Sequence, residues 1–327
     1  MNPRLSLYEL AHRHQLDATA TQRLFHAAGL DAEPAALQTW FWKGVAVLAA
    51  ALGGLGLILW LAANWESLGR MGRFALLQGS VLAMGLGAAT QARLRAPLGL
   101  LALLCIGGLF AYFGQTYQTG ADPWQLFAVW ALLALPLCLG ARSDVLWAPW
   151  ALVMMTAISL WTYAHTGHRW RAEPQDLTAY AMAWLAALAL IAALSPAAAR
   201  FTGAGPWAMR TAATLTVMAM TLAAIVALFH KDVAPHYPLA LALFAIAAGV
   251  LARRDTFEIF VLSAVALGLN TLLVAGLARW LFESGSSGDP IGRLFLIGLV
   301  AAGLLAASVS AITGLARRYG TAQETPS

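Results

Sequence analysis

A chain of 327 residues that is 60% hydrophobic and 11% charged lies far from soluble domains, in which about 25% of residues are charged. This is too little charge to cover the surface of a soluble protein, so we expect most of the surface of this chain to face lipid. The net charge of +5 comes from basic residues that stand singly or in pairs at the ends of apolar runs, a pattern that excludes a nucleic-acid-binding face and is typical of membrane orientation.

Residues 1–43 are the sizeable hydrophilic region. The charged start is followed by polar residues, so we expect no signal peptide. Asp17 is placed to cap a helix over about 18–28, and Gly29 is placed to end it. We predict a soluble helical hairpin on the cytoplasmic side, either a regulatory or docking element or a plain cap on the bundle.

Apolar runs follow Lys43. A span needs about 20 mostly apolar residues, because only a helix satisfies its own backbone hydrogen bonds in hydrocarbon. The predicted fold is therefore all-α, a polytopic bundle of about ten spans within residues 44–316, with a disordered tail over 317–327. The predicted spans are 44–63, 74–92, 97–113, 124–140, 145–163, 177–194, 208–229, 238–252, 257–278 and 292–314. Since the fourth and eighth are short, nine spans and a re-entrant segment are the alternative.

Most of the 20 lysines and arginines fall on one side of this topology, the side that holds the N-terminus. The positive-inside rule then predicts that both termini are cytoplasmic. Cys105 and Cys138 would lie at different depths in neighbouring spans, too far apart for a disulfide, and we interpret both as buried small apolar residues. Glycines concentrate in the first three spans and predict close helix packing there.

Two polar and aromatic clusters lie on the predicted outer face, over residues 62–66 and 114–124. They supply a candidate patch for a ligand or a partner, formed by Asn64, Trp65, Glu66, Gln115, Tyr117, Asp122 and Trp124. Helix caps and interface anchors would produce much of the same pattern, because Asp122 can cap the fourth span with Pro123 in its first turn. Both interpretations stay open at this stage.

Four histidines lie in predicted outer loops and are weak candidates for a metal site: His165, His168, His230 and His236. Isolated loop histidines are more often simply solvated, and the sequence indicates no cofactor. The chain contains no His-Glu-x-x-His, Gly-x-Ser-x-Gly or Walker motif, so no catalytic residue is assigned. The spans also lack midplane charge; Gln78 and Asn270 either line a polar path or hydrogen-bond between helices.

Three segments carry a resemblance: Leu-Ala-Ala-Asn-Trp at 61–65, Gly-Arg-Phe-Ala-Leu-Leu at 72–77, and Phe-Gly-Gln-Thr-Tyr-Gln-Thr-Gly-Ala-Asp-Pro-Trp-Gln-Leu-Phe at 113–127. Over roughly residues 5–150 the chain resembles a bacterial family of predicted membrane proteins, domain of unknown function 2157. The resemblance implies a multi-pass protein of the bacterial inner membrane. It also implies, as candidate partner, a neighbouring membrane protein with a Gly-Asp-Tyr motif. It assigns no catalytic residue.

Three functional hypotheses follow. The leading one is a non-enzymatic accessory or scaffold component of a cell-envelope complex, since catalytic motifs and midplane charge are missing and the outer patch suits a partner. A small-solute transporter or channel is the alternative, because the helix count and the glycine-rich spans fit one. A membrane enzyme acting at the outer face is the third.

Overall fold

The computed structural model describes residues 3–28, 35–64, 67, 69–117, 120, 122–167, 169–283 and 290–321. Within these residues the structure is helical and contains no strand. The chain divides into two compact units, residues 1–52 and 53–327, and the boundary falls inside the third helix. The helices are α1 Pro3–Arg13, α2 Ala18–Ala27, α3 Ala35–Ala63, α4 Arg70–Thr90, α5 Arg95–Tyr117, α6 Pro123–Ala141, α7 Asp144–His165, α8 Leu177–Ala193, α9 Ala199–Thr202, α10 Pro206–Leu228, α11 His236–Leu251, α12 Ile259–Glu283 and α13 Pro290–Thr321.

The first unit contains α1, α2 and the start of α3. The carboxylate of Asp17 accepts a hydrogen bond from the backbone N–H of Ala20 at 2.6 Å, which confirms the predicted N-cap of α2. The rings of Tyr8 and Phe25 lie 4.8 Å apart, so α1 and α2 are in contact. Gly29 lies outside the described residues. The cytoplasmic hairpin stays a prediction.

Each of the ten predicted spans overlaps one helix, from α3 to α8 and from α10 to α13. Seven of the described helices are long and apolar enough to cross a membrane: α5, α6, α7, α8, α10, α12 and α13. The apolar part of α3, Phe41–Leu57, and α11 are shorter apolar helices. The structure therefore supports a membrane protein with seven candidate spans, and the count of ten remains a prediction.

Helix α13 extends beyond the predicted last span. It continues to Thr321, and the Tyr319 hydroxyl donates a hydrogen bond to the Ala252 carbonyl at 2.7 Å. The first residues of the predicted tail, 317–321, are thus helical, and residues 322–327 lie outside the described part of the chain.

Close helix contacts in the second unit occur at some of the glycines in the first three predicted spans. A Cβ atom at Gly87 would come within 2.9 Å of Leu98, one at Gly99 within 2.8 Å of Leu146, and one at Gly107 would overlap the Trp130 ring. The prediction of close packing is therefore confirmed at these positions. It is wrong for Gly56, Gly79 and Gly85, where an added Cβ atom would meet nothing within 4 Å.

The helices of the second unit start and finish at two ends, the patch end and the arginine end. The patch end is where α5 and α7 finish and α6, α8 and α11 begin; the arginine end is where α7, α10 and α12 begin. Arg210 and Glu258 form an ion pair at the arginine end, with N and O 2.7 Å apart. Between the ends, Cys105 and Cys138 are buried, and each thiol is free, as predicted.

Candidate functional site

The patch predicted from the sequence is only partly described. Trp65 and Glu66 lie outside the described residues. The other five members, Asn64, Gln115, Tyr117, Asp122 and Trp124, lie at or next to helix ends, as the polar composition of these segments predicts. Tyr117 and Trp124 have different aromatic neighbours, so the patch end carries two aromatic groups.

The first group, which we call the α4–α5 aromatic cluster, consists of Phe74, Tyr112, Phe113 and Tyr117. The ring centroid of Phe74 lies 4.6 Å from that of Tyr112 and 5.9 Å from that of Tyr117. Phe113 and Tyr117, one turn apart on α5, lie 4.8 Å from each other. The cluster joins the start of α4 to the end of α5, and Tyr117 packs against a ring from each helix.

The cluster has a buried base and an exposed top. Tyr112 is 4% exposed and packs with Leu77, whereas Tyr117 is 48% exposed. Gln115 lies on the same last turn of α5, and its side chain is exposed. Met71, at the start of α4, is 79% exposed. Gln115 stands two residues before Tyr117, so its side chain points to a different face of α5. A tyrosine ring that packs on other aromatic rings and is half-exposed at a helix end is typical of a partner-binding site.

The second aromatic group contains Trp124, His165 and Trp161. The His165 ring stacks on Trp161 with centroids 4.2 Å apart and lies 6.3 Å from the Trp124 ring. His165 is further fixed because its Nδ1 contacts the Trp161 carbonyl oxygen at 2.8 Å. Trp124 is half-buried, and its buried indole N–H has no hydrogen-bond partner among the described residues. These contacts join the start of α6 to the end of α7.

Two patch residues serve helix ends. The Asn64 side-chain amide donates to the Trp60 carbonyl at 2.9 Å, at the C-terminus of α3. Asp122 occupies the N-cap position of α6 with Pro123 in the first turn, as predicted, although its side chain makes no capping hydrogen bond. For these two residues the structural interpretation accounts for the observed positions.

The histidines do not share one environment. His230 contacts the carbonyl of Asp232 through Nδ1 at 3.1 Å, and His168 lies outside the described residues. His236 was expected in a loop. It is instead the first residue of α11 and fully buried, with the Tyr180 ring 4.8 Å away in an edge-on arrangement. Among the described residues no group of three or more His, Cys, Asp or Glu side chains comes together as a metal site.

The burial of His236 has an unusual feature. The backbone of Asp176 lies close to the ring, but neither ring nitrogen makes a hydrogen bond of ordinary geometry with a described residue. Sequence reasoning missed this environment because it depends on α8, which supplies Tyr180 and Trp184 from a distant part of the chain.

Inside the bundle, Asn270 hydrogen-bonds between helices. Its side-chain amide donates to the Ser308 hydroxyl at 2.9 Å and lies 3.4 Å from the Leu304 carbonyl, so it joins α12 to α13. This confirms the interpretation of Asn270 as an interhelical bonding residue. Gln78 has an exposed side chain on α4.

Residues 8–147 match the model of the family described as Predicted membrane protein (DUF2157). The match confirms the resemblance noted from the sequence and includes all seven patch residues. Helices α8 to α13 lie beyond it. No curated protein and no solved structure matches the chain.

Proposed function

We propose that this chain is a non-enzymatic accessory or scaffold component of a cell-envelope complex in the bacterial inner membrane, and that it binds its partner through the patch end. The observation that carries this proposal is the exposed Tyr117 ring, packed on the other residues of the α4–α5 aromatic cluster. The seven candidate spans and the family match over residues 8–147 support its placement in a membrane.

The physical case rests on preorganisation. A tyrosine ring supplies a large contact area and a hydroxyl, and interface hot spots are enriched in this residue. Phe74 and Phe113 already pack against the Tyr117 ring, so less side-chain freedom is lost when a partner covers it. The exposed Gln115, on the same turn of α5, offers a donor and an acceptor to a partner that also covers the end of this helix.

The distribution of charge favours binding over transport. Two ion pairs that join described residues, Arg210–Glu258 and Arg279–Glu283, lie near helix ends. Coupled carriers use ionisable groups near the membrane midplane, because a charge is costly there and is retained for function. The polar Asn270 is engaged with Ser308.

We further propose that both termini are cytoplasmic and that the patch end faces outward. Arg142, Arg200 and Arg210 at the arginine end support this orientation through the positive-inside rule. The candidate partner is a membrane protein with a Gly-Asp-Tyr motif, as the family resemblance implies. Such a partner would reach the patch from within the same membrane.

The test is affinity purification of the full chain from native membranes in mild detergent. We expect a stoichiometric membrane-protein partner with the wild type. Tyr117→Ala combined with Gln115→Ala should lower its recovery about tenfold or more, because truncating a hot spot costs about 2 kcal/mol.

The matched control is Phe229→Ala. Phe229 is 61% exposed at the patch end, but it is the C-cap of α10, remote in the chain from the α4–α5 aromatic cluster. Recovery should be unchanged in this variant. A wild-type chain recovered alone, or a partner retained equally by all variants, would overturn the proposal.

A further inference from the structure

A cavity of about 350 Å³ lies between α7, α8 and α10, in the half of these helices nearest the patch end. Its size falls within the range of small-molecule pockets. Met155 and Thr162 of α7, Trp184 of α8 and Thr216 of α10 are among its buried walls, and Trp170 lies at its mouth. This space is separate from the α4–α5 aromatic cluster.

Small side chains create the space. Ala183 and Ala187 line it from α8, and Ala219 and Ala223 line it from α10. Each pair is four residues apart and so shares one helix face. Neighbouring helices that present methyl groups at these positions leave room between the helices, which larger side chains would fill.

The cavity opens sideways. Three of its lining residues on α10 are also well exposed: Met218 at 53%, Leu222 at 58% and Val226 at 44%. In a bilayer this exposed row faces hydrocarbon, so an acyl chain can enter without crossing water.

Three hydroxyl groups in the walls already donate hydrogen bonds to backbone carbonyls. The Thr162 hydroxyl donates to the Ile158 carbonyl at 3.0 Å, and the Thr216 hydroxyl donates to the Ala212 carbonyl at 2.8 Å. The Tyr180 hydroxyl donates to the Arg171 carbonyl at 3.2 Å. The walls therefore suit a hydrocarbon occupant better than a polar solute.

Trp170, which lines the mouth, stands between two arginines, Arg169 and Arg171. Thr166 donates its hydroxyl to the Arg169 carbonyl at 2.9 Å, and the ring of Tyr163 lies 4.9 Å from that of Trp170. The Tyr180 bond to the Arg171 carbonyl completes the set. Each of three consecutive residues thus contacts a residue of α7, of its C-cap or of α8.

Both arginine side chains are exposed, and neither forms an ion pair with a described residue. Glu173, the nearest acidic residue in the chain, accepts a hydrogen bond from Gln175 at 2.9 Å. Two exposed guanidinium groups therefore lie beside an apolar cavity that opens to lipid, with the carboxylates of Glu173 and Asp176 later in the same segment.

We propose that this cavity binds one acyl chain of an anionic phospholipid from the surrounding bilayer, with the phosphate headgroup held by Arg169 and Arg171. The apolar walls fit the chain, and the two guanidinium groups complement the headgroup charge. A neutral lipid would fill the same cavity without the charge interaction. The site does not depend on the partner proposed for the patch end.

The experiment is native mass spectrometry of the detergent-purified full chain, titrated with phosphatidylglycerol or with phosphatidylcholine. The wild type should bind one phosphatidylglycerol about 10- to 30-fold more tightly than phosphatidylcholine, as two arginines near a headgroup allow. Arg169→Gln combined with Arg171→Gln should remove this preference. The control, Arg253→Gln with Arg254→Gln, changes the charge equally at two exposed arginines of another loop and should keep it.

A second pair of variants tests the cavity itself. Ala187→Leu fills it, whereas Ala186→Leu adds the same volume at the adjacent exposed position of α8. We expect Ala187→Leu to weaken binding of both lipids and Ala186→Leu to weaken neither. Equal affinity of the wild type for both lipids would overturn the proposal, as would binding that neither the arginine variants nor Ala187→Leu alters.

Discussion

The carboxylate of Asp144, in the first turn of α7, accepts a hydrogen bond from the backbone N–H of Gly205 at 2.8 Å. The same carboxylate accepts from the N–H groups of Trp207 at 2.9 Å and Ala208 at 3.3 Å, so one side chain of α7 caps the N-terminus of α10. A Cβ atom at residue 205 would overlap the carboxylate. Glycine is therefore required for this contact.

This junction yields the first prediction. Asp144→Asn should lower the thermal stability of the purified protein, with a loss of about 1–2 kcal/mol, because the amide is neutral and accepts through one oxygen. Thermal unfolding in detergent measures the effect. The control is Asp255→Asn, an exposed aspartate after α11. Equal melting temperatures of wild type and Asp144→Asn would contradict the assigned cap.

The second prediction concerns two glycines in neighbouring helices. Gly107→Ala should destabilise the protein by about 1–3 kcal/mol, because the new methyl group would overlap the Trp130 ring. That ring cannot move freely, since its indole N–H donates to the Leu103 carbonyl at 2.9 Å. Gly79→Ala is the matched control. It adds a methyl group where no atom lies within 4 Å, and stability should be unchanged or slightly higher. The same loss in both variants would count against the packing described here.

The third prediction concerns Glu258 at the arginine end. Its carboxylate pairs with Arg210 and also accepts the backbone N–H of Val261 at 2.6 Å, at the start of α12. A double-mutant cycle with Glu258→Gln and Arg210→Gln should give a coupling energy of about 1 kcal/mol, since both side chains are largely buried. Glu258→Ala should cost more than Glu258→Gln, because the cap is lost as well. A coupling energy near zero would show that the pair contributes nothing.

Much of the helix arrangement was predictable from hydropathy, because a span must be long, apolar and helical. The limits of α6 and α7, the Asp17 cap and the buried free cysteines all follow from local sequence. The hydrogen bonding of Asn270 was predictable, since a lone amide among apolar residues needs a partner, but the identity of that partner was not.

Contacts between distant segments were not predictable. The sequence predicted Tyr117 as a patch residue but did not indicate Phe74 as its neighbour, although Phe113, one turn before it, was a local signal. His236 was predicted to be solvated. This prediction failed because the burial of His236 depends on Tyr180 of α8, which is distant in the sequence. The cavity was not predictable either, because alanines four residues apart indicate an opening only when the opposing helix is known.

The central claim is that the patch end faces outward and the arginine end faces the cytoplasm. Labelling of single introduced cysteines with a membrane-impermeant maleimide in spheroplasts tests it most directly. The native Cys105 and Cys138 are buried, so background labelling should be low. We predict that Gln115→Cys reacts in intact spheroplasts and that Arg254→Cys reacts only after lysis. Labelling of Arg254→Cys in intact spheroplasts, with Gln115→Cys protected until lysis, would contradict the account.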